Sequence, residues 1–371
     1  MIYADHAATT FVAPSAIEAM TAFWTTQFGN PSSQHTMGLQ ARAALEEARA
    51  HIAACIDADP SEILFTSGGS ESNNTAVFGM THAVKRFCCS ALEHPSVRQC
   101  ERRLAESGFS TAIIPADRNG FIQPNELEKR LDDCPALISV MTANNEIGTV
   151  QPISSLVDVA HRNGSWFHTD AVQAIGIIPV SVRETDVDLL SASGHKFHAP
   201  KGIGFLYVRT GCPLRPYILG GGQEQHRRAG TENVAFAVGM AAALDECVRE
   251  REKRAKYVAG LRDLLWTLLR DLPVRLNGTM RARLPGNLSV RVDGMDGEAL
   301  TALLDLRGIC VSAGSACCAG TVHASPVLRA IGLSDAECAG ALRITLNHTN
   351  TEAEIYAISD ALHEIVRLTR P

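Results

Sequence analysis

From about residue 60 to residue 210, short apolar runs alternate with stretches of helical periodicity. Glu62-Ile63-Leu64-Phe65-Thr66 reads as a strand, followed by a Ser67-Gly68-Gly69 turn and a helix running to about Arg86. A strand from Phe87 to Leu92, a helix from Pro95 to about Ser107 and a strand from Ser110 to Pro115 continue the pattern. Next come a helix at 124–133, a strand from Ala136 to Ala143, a helix at 153–163 and a strand from Ser165 to Thr169. Val187 to Ser191 and Gly204 to Val208 read as further strands. Alternation at this spacing predicts an α/β fold, a mainly parallel sheet with helices on both faces. Ligands of such sheets sit at the carboxyl ends of the strands. A long helical pattern follows from about Asn233 to Asp271, and its charge run Glu250-Arg251-Glu252-Lys253-Arg254 reads as a solvated face. Strands at Val274 to Leu276, Asn287 to Val292 and Ala341 to Leu346, with helices at 296–307 and from Thr351 to Leu368, predict a second, smaller α+β unit.

Composition narrows the function. The 371 residues are 46% hydrophobic and 20% charged, enough to build sizeable cores and too apolar for a disordered chain. Lys and Arg number 34 against 40 Asp and Glu, a net charge of −6, so no basic field favours a nucleic-acid partner. No apolar run reaches the ~20 residues of a membrane span; Ala235 to Leu244 is short and broken by Gly239. The N-terminus Met1-Ile2-Tyr3-Ala4-Asp5-His6 lacks the pattern of a signal peptide, which predicts a cytoplasmic protein.

Eleven cysteines, odd in number and irregularly spaced, argue against a disulfide framework, and no C-x-x-C pair suggests a metal site. Cys55, Cys88, Cys134, Cys247 and Cys310 lie in apolar stretches and read as small buried hydrophobes. Cys317 and Cys318 differ, lying in the small, polar stretch Ser312-Ala313-Gly314-Ser315-Ala316-Cys317-Cys318-Ala319-Gly320-Thr321.

Three polar clusters fall at strand ends. Lys196, in Ser193-Gly194-His195-Lys196, offers an amine able to condense with an aldehyde. Asp170, with Gln173 three positions on, offers a carboxylate able to pair a pyridinium nitrogen. Gly68-Gly69-Ser70 bridges a strand to a helix N-terminus, where free N–H groups and the helix dipole favour an anion. Amine, carboxylate and anion cradle together are what pyridoxal 5'-phosphate (PLP) requires.

Further segments carry a wider likeness. Tyr3-Ala4-Asp5-His6-Ala7-Ala8-Thr9-Thr10, Gly29-Asn30-Pro31-Ser32-Ser33, Glu93-His94-Pro95-Ser96-Val97, Asn144-Asn145-Glu146-Ile147-Gly148, Gly230-Thr231-Glu232-Asn233 and the run ending at Cys317 stand in order with the three clusters. Over essentially its whole length the chain resembles the cysteine desulfurases of the NifS/IscS-like group, within the class V aminotransferase superfamily of fold-type I PLP enzymes. The resemblance implies a large PLP-binding domain over residues 12–250 with a seven-stranded type of sheet. It also implies a small domain formed by 1–11 and 251–371 that carries the catalytic cysteine.

The resemblance implies roles as well. Lys196 would anchor the cofactor aldehyde, Asp170 would pair the ring nitrogen and Gln173 the phenolate oxygen, and His94 would stack on the ring and move protons. Gly69, Ser70, Ser193 and His195 would hold the phosphate, joined by Thr231 from a second subunit, which implies a homodimer. Asn145 would contact cofactor and substrate, and with Arg343 would bind the substrate carboxylate. Cys317 would attack the sulfur of bound L-cysteine, leaving L-alanine and a persulfide for a protein acceptor; no metal is implied. Three features depart from the group's usual pattern: a second thiol at Cys318, Ile344-Thr345-Leu346-Asn347 in place of an aromatic-serine-leucine-glycine run, and an end at Pro371 without the extension by which housekeeping relatives meet a scaffold. These leave open which acceptor and pathway take the sulfur. Other readings compatible with the same residues are a selenocysteine lyase or cysteine sulfinate desulfinase, and a sulfur-relay subunit without turnover.

Overall fold

A computed structural model describes residues 1–131, 134–314 and 324–369. Its principal sheet comprises β1 (Ile63–Thr66), β2 (Arg86–Ser90), β3 (Ser110–Ile114), β4 (Ala136–Ser139), β5 (Trp166–Asp170), β6 (Leu189–Ser193) and β7 (Gly204–Val208), in the order β1-β7-β6-β5-β4-β2-β3. Neighbours pair in parallel from β3 through β6, while β7 lies antiparallel to both β6 and β1. Apart from the edge strand β3, which is mostly half-exposed, these strands are almost wholly buried, as a sheet covered on both faces must be. This is the mainly parallel α/β sheet expected from the alternation.

Helices cover the sheet. They include α1 (Pro14–Thr25), α2 (Thr36–Cys55), α3 (Gly69–Met80), α4 (Pro95–Glu106), α5 (Ile153–Arg162) and α6 (Val234–Leu268). The strand–helix alternation did not anticipate α1 and α2, which precede its first strand. The helix expected to reach Arg86 stops at Met80, and the one expected over 124–133 is observed only over Pro124–Glu128. The strand expected to reach Ala143 ends at Ser139, although Val140 to Ala143 remain buried and so prolong the apolar pattern.

A second sheet is formed by β8 (Val274–Leu276), β9 (Asn287–Val292), β10 (Ser312–Ala313) and β11 (Ala341–Thr345), in the order β10-β11-β9-β8 and antiparallel throughout. It packs with α7 (Glu352–Thr369) around a separate apolar core that includes Leu288, Leu342, Ile344, Ile355 and Ile358. The helix α6 joins the two cores: Met240 and Leu244 pack against the large sheet, and Leu261 and Leu265 against the small one. Among the described residues no helix is long and apolar enough to cross a membrane.

Cys88 and Cys247 are buried as expected, and Cys55 and Cys310 are half-buried. Cys134 is exposed, contrary to the expectation, because it precedes Pro135 in the loop ahead of β4 rather than lying in the strand.

Candidate active site

The anion cradle is built where β1 turns into α3. Gly68 occupies the cap position of α3 and supplies no side-chain hydrogen bond, so the first turn is left without a side-chain cap. The backbone is crowded here: a Cβ on Gly204 of β7 would lie 2.7 Å from Gly68 Cα and 2.5 Å from Ala192 O. Only glycine at 204 lets β7 pass this close to the turn. Buried Ser193, at the end of β6, stands near the turn, with its Oγ 3.5 Å from where a Gly68 Cβ would be. His195 pairs through Nδ1 with Thr9 Oγ1 at 3.2 Å, and burial, aided by the charges of Lys196 and Lys201, lowers its pKa to about 4. The ring is therefore neutral at physiological pH.

Lys196 closes a single 3-10 turn directly after β6. Its Nζ donates to Ala7 O at 2.5 Å and Ala8 O at 2.8 Å, so the N-terminal segment holds the amine in place. Gln173 Nε2 donates to the same Ala7 O at 3.0 Å. Asp170 ends β5 and is buried; one carboxylate oxygen accepts from Asn73 Nδ2 at 2.7 Å and the other from Val172 N at 3.0 Å. His94 caps α4, accepting from Ser96 N through Nδ1 at 3.2 Å, which leaves the ring proton on Nε2. Burial lowers its pKa despite the nearby charge of Asp170, with Lys196 adding to the lowering.

On the small sheet, Arg343 of β11 is 2% exposed and reaches toward the large one. Its Nη1 donates to Asn145 O at 3.1 Å and its Nη2 to Asp5 Oδ1 at 2.8 Å. Its Nε is buried with no partner among the described residues. The turn that presents Asn145 is shaped by Asn144, whose Oδ1 accepts from Glu146 N and Ile147 N at 2.8 and 2.9 Å. Gly148 completes the turn at φ +73°, where a side chain would strike Asn287. Burial pushes the Glu146 carboxyl up to about 7, against the lowering effects of its 2.5 Å bond with Ser325 Oγ and of Arg343. Burial likewise raises Glu93, beside His94, to about 8. Glu146 and Glu93 are thus held closer to neutrality than exposed carboxylates and contribute less negative charge to the site.

One cavity of about 390 Å³ gathers Gly69, Ser70, His94, Asn145, Asp170, Gln173, Ser193, His195, Lys196 and Arg343. An amine, a buried carboxylate and an uncapped helix start all open on it, a donor set that fits a flat pyridine ring bearing an aldehyde and a phosphate. Thr231 is exposed and does not line this cavity. Cys317 and Cys318 lie outside the described residues.

Comparison with known proteins agrees with this geometry. The aminotransferase class-V family model matches residues 2–358. A protein of Dictyoglomus turgidum named cysteine desulfurase IscS is 43% identical over 378 residues, covering all of this chain and 95% of that protein. The chain belongs to the cysteine desulfurases of the class-V aminotransferase family. A solved NifS-like protein superposes with a TM-score of 0.94 at 36% identity, with 99% of each chain covered. A structure described as SspA in complex with cysteine has a TM-score of 0.84 at 33% identity, covering 95% of this chain and all of that one. The family's fold is therefore the fold of this chain.

Within this desulfurase fold, several contributors escaped the sequence reading. The carbonyls of Ala7 and Ala8 and the carboxylate of Asp5 bear on Lys196 and Arg343 from a segment almost 190 and more than 330 residues distant in sequence. Asn73, which orients Asp170, lies within the Gly68-to-Asn74 segment but carries no local mark of that task. Backbone carbonyls leave no signal in residue identity at all.

Proposed function

We propose that this chain is a PLP-dependent enzyme that converts L-cysteine to L-alanine and leaves the sulfur as a persulfide on Cys317. The observation that carries the reading is the convergence of Lys196, Asp170, Gln173, His94 and Arg343 on one cavity beside an uncapped helix start. When bound, PLP supplies an electron-withdrawing ring that weakens bonds at the substrate Cα. Lys196 would hold the cofactor, its amine already placed by the Ala7 and Ala8 carbonyls. Asp170 would hold a proton at the ring nitrogen, and Asn73 fixes the carboxylate for that task. Gln173 would donate to the phenolate oxygen. Gly69, Ser70, Ser193 and His195 would receive the phosphate. His94, kept neutral by burial, would move a proton at the substrate. The Nε of Arg343, buried without a partner among the described residues, with Asn145 beside it, would take the substrate carboxylate.

The sulfur step balances without an external oxidant. The Cys317 thiolate forms an S–S bond to the substrate sulfur while the C–S bond breaks; its electron pair stays on carbon, which takes up a proton and becomes the methyl group of alanine. The same reading includes a cytoplasmic homodimer, with Thr231 serving the partner's phosphate site, and a protein acceptor for the persulfide. It divides the chain into a domain of residues 12–250 and one of 1–11 with 251–371. The separate core around Leu288 and Ile358 supports that division.

Mass spectrometry after brief exposure to L-cysteine tests the assignment. Wild type and Cys318→Ser should each gain one sulfur atom on Cys317, whereas Cys317→Ser should bind PLP and cysteine yet gain none and release almost no sulfide. Near-normal turnover by Cys317→Ser, with sulfur on Cys318, would overturn it. Turnover of selenocysteine alone would favour a selenocysteine lyase.

A further inference from the structure

Between β7 and α6 the backbone takes a costly path. Glu224, Gln225 and His226 have φ of 48°, 57° and 64°, three successive non-glycine residues in the left-handed region. There Cβ crowds the following carbonyl, and L residues visit it rarely and mostly one at a time. A buried ion pair holds the turn. Arg49 Nη1 and Nη2 each donate to a carboxylate oxygen of Glu224 at 2.8 Å, and Phe65 N donates to it at 2.9 Å. The two side chains are only 4% and 2% exposed. Arg49 also donates to Ile63 O at 2.8 Å and lies over the Phe65 ring, 4.7 Å from its centre, so the pair is seated on α2 and β1. Burial opposes the charge on Arg49, but its bonds to Glu224 and Glu46 outweigh that and raise its pKa.

The residues just after the turn are equally restrained. Arg227 donates to Ser61 O at 2.8 Å, and Arg228 grips Glu71 in the first turn of α3 at 2.8 and 3.1 Å. Gln223 Oε1 accepts from Gly230 N at 3.2 Å. The segment then delivers Thr231, exposed and away from its own cavity. A buried ion pair is weak evidence for stability, since apolar residues of like size often stabilise as well or better, and the left-handed turn works against folding. What this arrangement secures is the location of the residues just beyond it.

We infer that Glu224, clamped by Arg49, is a positioning residue for the phosphate site of a second copy of this chain, setting the turn that carries Thr231 to it. The inference rests on the proposed homodimer. Glu224 thus acts in trans, although all its contacts are in cis.

Subunit mixing separates the two. A Lys196→Ala chain keeps the turn but has no amine, and a Glu224→Gln chain keeps the amine but has a loosened turn. As homodimers, the first should be inactive, and the second should hold PLP about tenfold more weakly or worse, as for loss of one charge-assisted hydrogen bond, with KM for cysteine little changed. Equilibrium dialysis of PLP reads the loss of affinity without reference to turnover. Mixed in equal amounts, at a PLP concentration that loads wild type but not the Glu224→Gln homodimer, the chains should recover about a quarter of wild-type activity, because half the dimers are mixed and each holds one complete site. Arg49→Met combined with Glu224→Leu removes the pair without stranding a charge. That chain leaves the Phe65 N–H without its acceptor, so it should fold but melt somewhat below wild type, lose PLP and be complemented in the same way. Recovery by a Thr231→Val and Lys196→Ala mixture but not by the Glu224→Gln mixture overturns the inference and leaves the dimer standing. Failure of both mixtures, with chains that sediment as monomers, removes the dimer reading and the inference together. PLP retention at wild-type strength in the Arg49→Met, Glu224→Leu chain also overturns it.

Discussion

Arg343 is a fully buried guanidinium, an arrangement tolerated only when partners offset the lost hydration. Asp5 supplies the opposing charge and Asn145 a carbonyl, yet Nε remains without an acceptor among the described residues. A buried donor left open in this way is suited to an incoming carboxylate, whose binding satisfies it. Replacing Arg343 with Ala should therefore leave PLP bound and lower kcat/KM for cysteine by about 30- to 1000-fold, from the loss of ~2 to 4 kcal/mol of charge-assisted bonding. Lys should restore only part of this, because an ammonium lacks the planar fork. Steady-state kinetics of the two variants, beside PLP absorbance, provide the check. Unchanged kinetics would assign the carboxylate to another residue.

Among the elements, β4, β5 and β6 are tied by a side chain as well as by their ladders. His168 of β5 pairs with Ser139 Oγ of β4 at 2.8 Å and Ser191 Oγ of β6 at 2.9 Å. Burial lowers its pKa from 6.5 to about 3, so it folds as a neutral ring. Between pH 3 and 6.5 the unfolded chain takes up a proton that the folded chain refuses. The stabilisation from His168 is thus complete above pH 6.5 and lost as pH falls. Chemical denaturation at pH 4 to 6 should show wild type losing stability more steeply than His168→Gln, by up to about 1.4 kcal/mol per pH unit. Glu93, pushed the opposite way, is common to both proteins and cancels. Equal slopes would mean that the ring is charged in the folded state.

At the scale of the molecule, the first thirteen residues join its two sheets. Ile2 and Tyr3 pair in parallel with Ile309 and Cys310, and Thr345 N donates to Ala4 O at 2.7 Å. Asp5 then meets Arg343, Ala7 and Ala8 meet Lys196, and Thr10 N donates to His195 O at 2.9 Å. One extended segment thereby links Arg343, Lys196 and His195. Deleting Ile2 to Ala8 should lower the thermal midpoint and weaken both PLP retention and cysteine binding. Hydrogen exchange should rise in β11 and in the 194–198 turn together. Faster exchange in β11 alone would show that the segment serves only the small sheet.

Much of this was legible in one dimension because the information is local. The runs Ile63 to Phe65 and Phe205 to Val208 are apolar, as buried strands favour, and Gly68-Gly69-Ser70 marks a strand-to-helix turn through its lack of bulk. Lys196 and Asp170 stand out because reactive groups at strand ends are where an α/β sheet binds ligands. The helices α1 and α2 escaped the alternation because they lie before its first strand. Arg343 looks like any strand arginine until β11 is folded beneath Asn145 and Asp5. Glu224 carries no local sign of its ion pair, since Arg49 stands 175 residues away. Hydrophobic period and turn chemistry act between neighbours and leave their mark in the order of residues. A buried charge, an orienting carbonyl and a depressed histidine pKa depend on which distant groups share a dry environment, and only packing establishes that.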